Sequence, residues 1–542
     1  MYKLLLCWRY LLTRYIALAS IISVMLGVAT MMIVNAVMLG FTTEMQNRIH
    51  GILADVILES RSMNGFPDTD RHRKLILEAA GDLIEEITPT VVVPAMLTFR
   101  VGWKGEPVSL PVELIGIDEK TQGKVTEMTK YLQHPENRTN LNFGLRYGGY
   151  DVQGSGLQKG GIYRNALERA GWYHRQFTYA EMELERRRQE EEQRRLQLQA
   201  AANSPSFAPL SPNGGAPFDP LELPAVQPPD PFQEASSAPV KVFDPKREQH
   251  TGIILGVGLC SPGRRSEKIN PKTGEKMVVE DLAIIPGDDV MLTFPTADLP
   301  PKLKTSSFTV VDIYESKMLE YDSRLAYVPI EKLQLLRGMI DPASHSPMVT
   351  QILIKAKRGA NINELRDRLQ AKFPAEWFVV STWRDKQESL LAAVFNELMI
   401  LNVLLFLIFA VAGFGILAIF YMIVVEKKKD IGILKSLGAG GGGIMQIFLY
   451  YSLLLGIVGA GGGLVIGLVF IRYIKQIAAF LSIILQHEIF DPAVYSFYEI
   501  PTIVQPWTVF WIVTGAIVIA VISGILPAAR AARMHPVESL RS

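Results

Sequence analysis

Residues 398–425 read LMILNVLLFLIFAVAGFGILAIFYMIVV and contain no Asp, Glu, Lys or Arg. Crossing a bilayer as a helix takes roughly 20 apolar residues, so this stretch is long enough to span a membrane. Three further stretches also lack those charged residues, at 15–43, 436–471 and 500–529. The sequence therefore predicts four transmembrane helices, one near the N-terminus and three near the C-terminus.

The basic residues beside these stretches predict their orientation. Lys and Arg are frequent before the first span, between the second and third, and after the fourth, at Lys3, Arg9, Arg14, Lys427, Lys428, Lys429, Lys435, Arg530, Arg533 and Arg541. The loop 472–506 carries only Arg472 and Lys475. Because positively charged flanks remain in the cytoplasm, we expect both termini there and the long segment after the first span on the other side.

The predicted fold is a membrane protein with four transmembrane α-helices and a large extracytoplasmic α+β domain between the first and second. The glycine run 438–443 is too flexible for a helix interior, so we begin the third span after it. In chain order we expect a cytoplasmic N-terminus (1–14), transmembrane helix 1 (15–43), the α+β domain (44–396), transmembrane helix 2 (397–425), a cytoplasmic coupling segment (426–443), transmembrane helix 3 (444–471), an extracytoplasmic loop (472–506), transmembrane helix 4 (507–527) and a cytoplasmic C-terminus (528–542).

The extracytoplasmic domain contains an insertion at about 134–249. Helical and strand-like patterns precede and follow it, whereas residues 178–202 are dense in Glu, Arg and Gln and favour a solvated helix with i,i+4 ion pairs. Residues 205–231 hold nine prolines and predict an extended, disordered linker. Both a tolerated surface insertion and a partner-binding arm are consistent with this composition.

Several classes of function are disfavoured by composition and motifs. A net charge of +1 lacks the basic field of a nucleic-acid-binding protein, and two cysteines cannot build a disulfide framework or a Cys-rich zinc site. No P-loop, zinc-protease or α/β-hydrolase motif occurs, and the G-x-G-x-x-G at Gly438, Gly440 and Gly443 lies between membrane spans rather than in a βαβ unit. We therefore assign no catalytic, cofactor-binding or metal-binding residue to this chain.

The segment between spans two and three has the pattern of a short amphipathic helix. Residues 426–438 read EKKKDIGILKSLG, with apolar residues three apart at Ile431, Leu434 and Leu437. One interpretation is a basic anchor in the lipid headgroups, and the other is a docking element for a cytoplasmic partner. For the docking element we select Glu426, Lys427, Lys428, Lys429, Asp430, Ile431, Leu434, Lys435 and Leu437.

Span three carries a repeated small-residue spacing. Gly459, Gly463 and Gly467 form G-x-x-x-G twice over, and Gly456 with Ala460 forms a second small pair. Small residues at this spacing let helix backbones approach closely, so we predict a helix-packing surface. The spacing is compatible with packing inside the chain and with packing across a dimer.

Several of these features together resemble the LolC/LolE permeases of lipoprotein-releasing ABC transporters, within the wider MacB/FtsX-like permease group. The resemblance rests on the order of spans, residues 40–45 (GFTTEM), Thr382-Trp383, residues 426–438 and residues 527–540 (PAARAARMHPVESL). Residues 112–118 (VELIGID) and 287–290 (GDDV) match more loosely. The insertion has no counterpart in the usual family pattern.

The resemblance implies a transporter subunit with defined partners. These are a separate cytoplasmic ABC ATPase that binds ATP and Mg²⁺, a second permease copy or paralogue forming a dimer, a lipoprotein substrate, a periplasmic lipoprotein carrier and membrane lipid. It implies a location in the bacterial inner membrane and a coupling role for 426–438. Alternatives are an FtsX-like permease that activates a periplasmic cell-wall enzyme and a MacB-like efflux permease.

Overall fold

The computed structural model describes residues 15–100, 105–152, 163–202, 243–261, 265–269, 276–341, 346–485 and 500–535. The helices within these residues are α1 (Tyr15–Ile52), α2 (Thr69–Ala80), α3 (Gln122–Val125), α4 (Pro135–Thr139), α5 (Trp172–Ala202), α6 (Val257–Cys260), α7 (Leu319–Asp322), α8 (Ile330–Arg337), α9 (Ile362–Lys372), α10 (Trp383–Lys386), α11 (Glu388–Glu426), α12 (Lys428–Ser436), α13 (Gly441–Arg472), α14 (Ile474–Leu485) and α15 (Pro506–Arg533). The strands are β1 (Val56–Ser60), β2 (Ile84–Arg100), β3 (Pro107–Ile117), β4 (Thr251–Gly256), β5 (Arg265–Ile269), β6 (Lys276–Glu280), β7 (Asp289–Pro295), β8 (Leu303–Tyr314), β9 (Leu325–Pro329), β10 (Gln351–Ala356) and β11 (Phe378–Thr382).

Four helices are long and apolar enough to cross a membrane: α1, α11, α13 and α15. They pack into one bundle whose core includes Val28, Phe420, Leu455 and Ala520, one residue from each helix. An α+β region lies between α1 and α11. This arrangement confirms the predicted fold class of a multi-pass membrane protein.

The helices extend beyond the apolar spans in sequence. The first helix continues past the predicted end at 43 to Ile52, and the second begins at Glu388 rather than at 397. A stretch without charged residues predicts only the part of a helix that lies in lipid. The helix continues beyond it wherever neighbouring side chains stabilise further turns. Here Arg48 pairs with Glu44 one turn back (3.0 Å), and Met45 and Ile49 pack on Val394.

The ends of the last two spanning helices also differ from the prediction. Helix α13 starts at Gly441, because the turn needs only Gly438, at φ +94°, and Gly440 then precedes the helix in an extended conformation. Helix α15 runs through Pro527 to Arg533 instead of ending at 527. Pro is tolerated inside membrane helices when neighbouring groups compensate, and Pro527 is buried in the bundle.

The α+β region is built around one large sheet. Its strand order is β11-β1-β10-β2-β3-β9-β4-β8-β7, and β7 also pairs with β2. The six strands β2, β3, β9, β4, β8 and β7 therefore close into a ring. Strand β10 lies between β1 and β2, and β9 lies beside β3. Strands from before and after the insertion are therefore interleaved in one sheet, and the two halves of the sequence form a single domain.

The two ends of the insertion are part of the domain rather than outside it. Leu141, Phe143 and Leu145 are buried against Ile254 and Tyr327, and Arg175 of α5 is fully buried. The sequence pattern missed this packing because Leu141, Phe143 and Leu145 lie in an irregular loop without periodicity, and Arg175 is a charged residue in a largely charged helix. The second half of α5 is exposed and carries the expected i,i+4 ion pairs, Arg187–Glu183 (2.7 Å) and Arg186–Glu190 (3.6 Å). The Pro-rich segment 205–231 lies outside the described residues.

Candidate functional site

The predicted coupling segment forms a short helix that joins two membrane spans. Helix α12 follows α11 after Lys427 and ends before Leu437, and the chain turns at Gly438 into α13. Ile431 is 3% exposed and packs against Val424, Ile444 and Phe448. The first residue of the predicted apolar stripe therefore anchors α12 to its own bundle.

The outward face of α12 is different from the predicted stripe. Leu437 is 79% exposed, Leu434 is 37% exposed, and Ile433, which the sequence analysis did not select, is 48% exposed. Ile433 and Leu437 are four residues apart, so they share one side of the helix. The i,i+4 spacing of Ile433 and Leu437 was the sequence signal for this exposed side. The prediction instead used the i,i+3 spacing, which includes the buried Ile431.

The basic residues of the segment divide into two groups. Lys435 donates from Nζ to the carbonyl oxygens of Ala532 (2.7 Å) and Met534 (2.6 Å), at the end of α15. Cations stabilise the carbonyl groups that a helix leaves unpaired at its C-terminus. Lys427 pairs with Asp430 (2.7 Å). Glu426 and Lys429 are exposed and Lys428 is half-buried, so Lys435 fixes α12 whereas the others lie at its surface.

The glycine face of α13 packs inside the chain, against α1. A Cβ atom built on Gly463 would lie 2.6 Å from the carbonyl oxygen of Met25 and 2.7 Å from Cβ of Val28. The corresponding atom on Gly459 would lie 2.8 Å from Cβ of Val24, and that on Gly467 3.3 Å from Cβ of Met32. These distances answer the question that the spacing left open, since the three glycines face another helix of the same chain.

Close approaches also connect α15 and the chain before it to the rest of the bundle. A Cβ atom on Gly456 would lie 3.0 Å from Cβ of Ala520 in α15. One on Gly40, in α1, would overlap the carbonyl oxygen of Pro501. Ile503 donates its backbone N–H to the carbonyl oxygen of Ala36 (3.0 Å), so the chain before α15 lies directly on α1.

A groove of about 520 Å³ opens between α1, α11 and α15 in the half of the bundle nearest the α+β domain. Its walls are mostly apolar and include Met32, Ala36, Phe395, Met399, Val403 and Ile512. Four polar side chains also line it, Asn35, Asn402, Gln505 and Thr508. The volume falls in the range of pockets that bind small molecules, and the lining suits a ligand with a long apolar part and a small polar part.

The α+β domain also contains a buried cluster of charged side chains, which is separate from the groove in the membrane bundle. Arg164 is 1% exposed and donates to Glu280 (2.8 Å) and Glu315 (2.9 Å). Burial alone would raise the pKa of the Glu315 carboxyl, but the Arg164 guanidinium lowers it below its usual value. No group of three or more His, Cys, Asp or Glu side chains suited to a metal ion occurs among the described residues. This cluster therefore joins the first part of the insertion, through Arg164, to β6 and to the end of β8.

Comparisons with known proteins place these features in a family context. Residues 402–536 match the FtsX-like permease C-terminal family. The chain is 29% identical over 291 residues to the lipoprotein-releasing system transmembrane protein LolC of Neisseria meningitidis serogroup B, covering 53% of this chain and 64% of that protein. It is 22% identical over 302 residues to LolE of Haemophilus influenzae (55% and 66%), and 24% identical over 302 residues to the macrolide export ATP-binding/permease protein MacB of Neisseria meningitidis serogroup A (54% and 43%).

In each comparison the match covers only part of this chain and only part of the relative. The chain spans less than two thirds of the length of the LolC relatives. The family match covers α11 from residue 402 onward and all of α12, α13, α14 and α15. The selected α12 residues and the three glycines of α13 therefore lie within the part that matches the family.

Proposed function

We propose, taking the chain as a permease of the MacB/FtsX-like group that includes LolC and LolE, a specific role in transport. The chain is the membrane subunit of an ABC transporter, and this transporter releases lipoproteins from the bacterial inner membrane. A separate cytoplasmic ATPase binds ATP and Mg²⁺ and supplies the energy. The chain converts that energy into movement and hands the lipoprotein to a periplasmic carrier. It works as a dimer with a second copy or a paralogue.

The groove is the observation that carries the substrate class. A lipoprotein presents acyl chains beside a polar linkage to its protein part, and the groove offers apolar walls with Asn35, Asn402, Gln505 and Thr508 among them. It lies beside the α+β domain, so a lipid-anchored protein would have its acyl chains in the bundle and its protein part next to that domain. Because acyl chains enter from lipid, which is as apolar as the groove walls, their retention would depend on van der Waals packing and on the polar side chains.

Helix α12 is the proposed docking element for the ATPase. Its side of the bundle is rich in Lys and Arg, which supports a cytoplasmic location for α12 and a periplasmic location for the α+β domain. Leu437, Leu434 and Ile433 offer exposed apolar contact, and Lys435 and Ile431 hold the helix to α15 and to the bundle core. A partner groove would bind the exposed residues, because apolar side chains on one side of a helix suit helix-in-groove recognition.

The test is ATP-dependent release of a lipid-anchored protein from proteoliposomes that contain the permease, its copurifying ATPase and a soluble acceptor protein. Met399→Trp fills the groove, whereas Ile400→Trp adds the same bulk at a neighbouring residue that is 62% exposed and outside the groove lining. We expect Met399→Trp to reduce release strongly while the ATPase remains bound, and Ile400→Trp to release as the wild type does.

Other outcomes would favour the alternatives. Equal release by both tryptophan variants would refute the role of the groove. A wild-type complex that hydrolyses ATP without releasing the lipid-anchored protein would refute lipoprotein release. Activation of a cell-wall enzyme would then support an FtsX-like transmitter, and transport of a small molecule would support a MacB-like efflux permease.

A further inference from the structure

The α+β domain is joined to the membrane bundle by two chain connections that lie side by side. One runs from the end of α1 through Asp55 into β1, and the other runs from β11 through α10 into α11. Strands β1 and β11 are antiparallel neighbours, with Val56 opposite Thr382. The two covalent connections between the membrane helices and the domain therefore run next to each other, at residues 50–55 and 382–388.

Asp55 contacts both connections, through α1 and α10, and also strand β10. One carboxylate oxygen, Oδ1, forms a short hydrogen bond with Nε2 of His50 in the last turn of α1. The other oxygen, Oδ2, accepts from the backbone N–H of Ala356 at the end of β10 (2.8 Å). The backbone carbonyl of Asp55 accepts from the N–H of Trp383, the first residue of α10 (3.2 Å). One buried residue thus ties α1, the sheet and the connection to α11 together.

Trp383 completes this joint on its apolar side. Its ring lies 5.3 Å from the ring of His50 and packs with Met45 and Ile49 of α1 and Val394 of α11. Thr382 and Asp385 form reciprocal hydrogen bonds that fix the start of α10. Trp383 therefore contacts both α1 and α11 directly beside the strands.

We propose that Asp55 is the positioning residue through which movement of the membrane helices reaches the α+β domain. This inference rests on the proposed function, because it assumes that the domain moves with the ATPase cycle. A buried carboxylate that binds two elements and whose backbone binds a third holds them at one fixed geometry. Without it, α1 and α11 retain their bundle contacts, but rotation of either helix is absorbed at the joint.

The experiment measures movement and transport separately. Spin labels are attached to Glu397→Cys on α11 and Glu331→Cys on α8, both exposed, in a Cys7→Ser background; the remaining thiol, Cys260, is fully buried. The distance between the labels is compared without nucleotide and with the complex trapped on a non-hydrolysable ATP analogue. Lipoprotein release and ATP hydrolysis are measured on the same complexes without labels.

The variants are chosen to separate coupling from folding. Asp55→Ala removes both carboxylate contacts, whereas Asp55→Asn keeps an acceptor oxygen for Ala356. Glu59→Ala is the matched control, since Glu59 of β1 pairs with Lys386 of α10 across the same strands but at a half-exposed position. Removing hydrogen bonds to a charged group changes an equilibrium roughly tenfold or more.

For Asp55→Ala we expect lipoprotein released per ATP hydrolysed to fall about tenfold and the nucleotide-dependent distance change to disappear, with ATPase binding retained. Asp55→Asn should recover part of both signals, and Glu59→Ala should match the wild type. Wild-type distance changes and release in Asp55→Ala would overturn the inference. A wild-type complex that shows movement but no lipoprotein release would refute the proposed substrate alone, and a complex that shows neither would refute both.

Discussion

Replacing Gly463 with Leu tests the packing of α13 on α1 most directly. The Cβ atom alone would lie 2.6 Å from the Met25 carbonyl oxygen and 2.7 Å from Val28 Cβ, whereas carbon atoms in contact prefer about 3.5–4.0 Å. Helix α1 must therefore retreat by about 1 Å for Cβ and farther for the rest of the side chain. Both obstructing groups belong to the backbone or lie next to it, so a rotamer change cannot relieve the clash.

The expected loss of stability is about 3 kcal/mol, because inserting side-chain atoms into a packed interior costs roughly 1–3 kcal/mol and a backbone obstruction lies at the upper end. Gly461→Leu is the matched control, since a Cβ atom there has nothing within 4 Å. Both substitutions gain about 1 kcal/mol of helix propensity, so their difference isolates the clash. Gly462 is a less suitable control, because its Cβ would meet Met25 Sδ at 3.0 Å.

The assay is the thermal unfolding midpoint of the purified chain in detergent, together with its level in isolated membranes. We expect Gly463→Leu to insert normally, because the span becomes more apolar, but to unfold at a lower temperature than Gly461→Leu. Equal midpoints for the two variants would refute close packing of α13 on α1 at this residue.

Three further predictions concern α12, the buried carboxyl of Asp322 and the insertion. Leu437→Glu should reduce copurification of the ATPase and leave the thermal unfolding midpoint unchanged. Ile431→Ala should lower the midpoint, since truncating a buried Ile costs about 2–5 kcal/mol. The reverse pattern would contradict the assignment of the exposed and buried faces of α12. Burial raises the pKa of Asp322 to about 7, above the roughly 3.9 of an unfolded chain, so its contribution is full below about pH 4 and is lost as the pH rises to about 7. Unfolding midpoints across this pH range should therefore fall less steeply for Asp322→Asn than for the wild type, and parallel curves would contradict the prediction. Limited proteolysis should cut first between residues 205 and 231 and leave the flanking halves associated, because strands from both halves are interleaved in one sheet; first cuts in β3 or β8 would contradict this order.

The sequence was most informative where one physical requirement dominates. Four charge-free stretches are enough to predict four spans, because lipid excludes charge from each residue of a span. The helix-packing role of Gly459, Gly463 and Gly467 was also predictable, since only small residues allow close backbone approach. Their partner was not, because any helix with small or β-branched residues would satisfy the same spacing. The structure assigns Val24 and Val28 of α1 to that role.

Contacts between distant parts of the chain were beyond the reach of sequence patterns. Arg164 meets Glu280 and Glu315, which are 116 and 151 residues away, and no periodicity connects them. Lys435 illustrates a subtler case. Its position in a basic segment predicted a surface role, but the end of α15 lies close enough for its ammonium group to bind the carbonyl oxygens of Ala532 and Met534.

The same contacts define how the groove can change its width. Helices α1 and α11 meet at Gly27 and Phe409, where a Cβ atom on the glycine would lie 3.7 Å from the ring. They meet again beyond the groove, where Met45 and Ile49 pack on Val394 and Trp383. Along α1 and α11 the groove is therefore bounded by a contact on each side, and it can widen if one helix bends, if α15 moves away or if the contact of Met45 and Ile49 with Val394 and Trp383 opens. Because the backbone N–H of Trp383 also binds the Asp55 carbonyl oxygen, opening that contact disturbs the Asp55 joint as well.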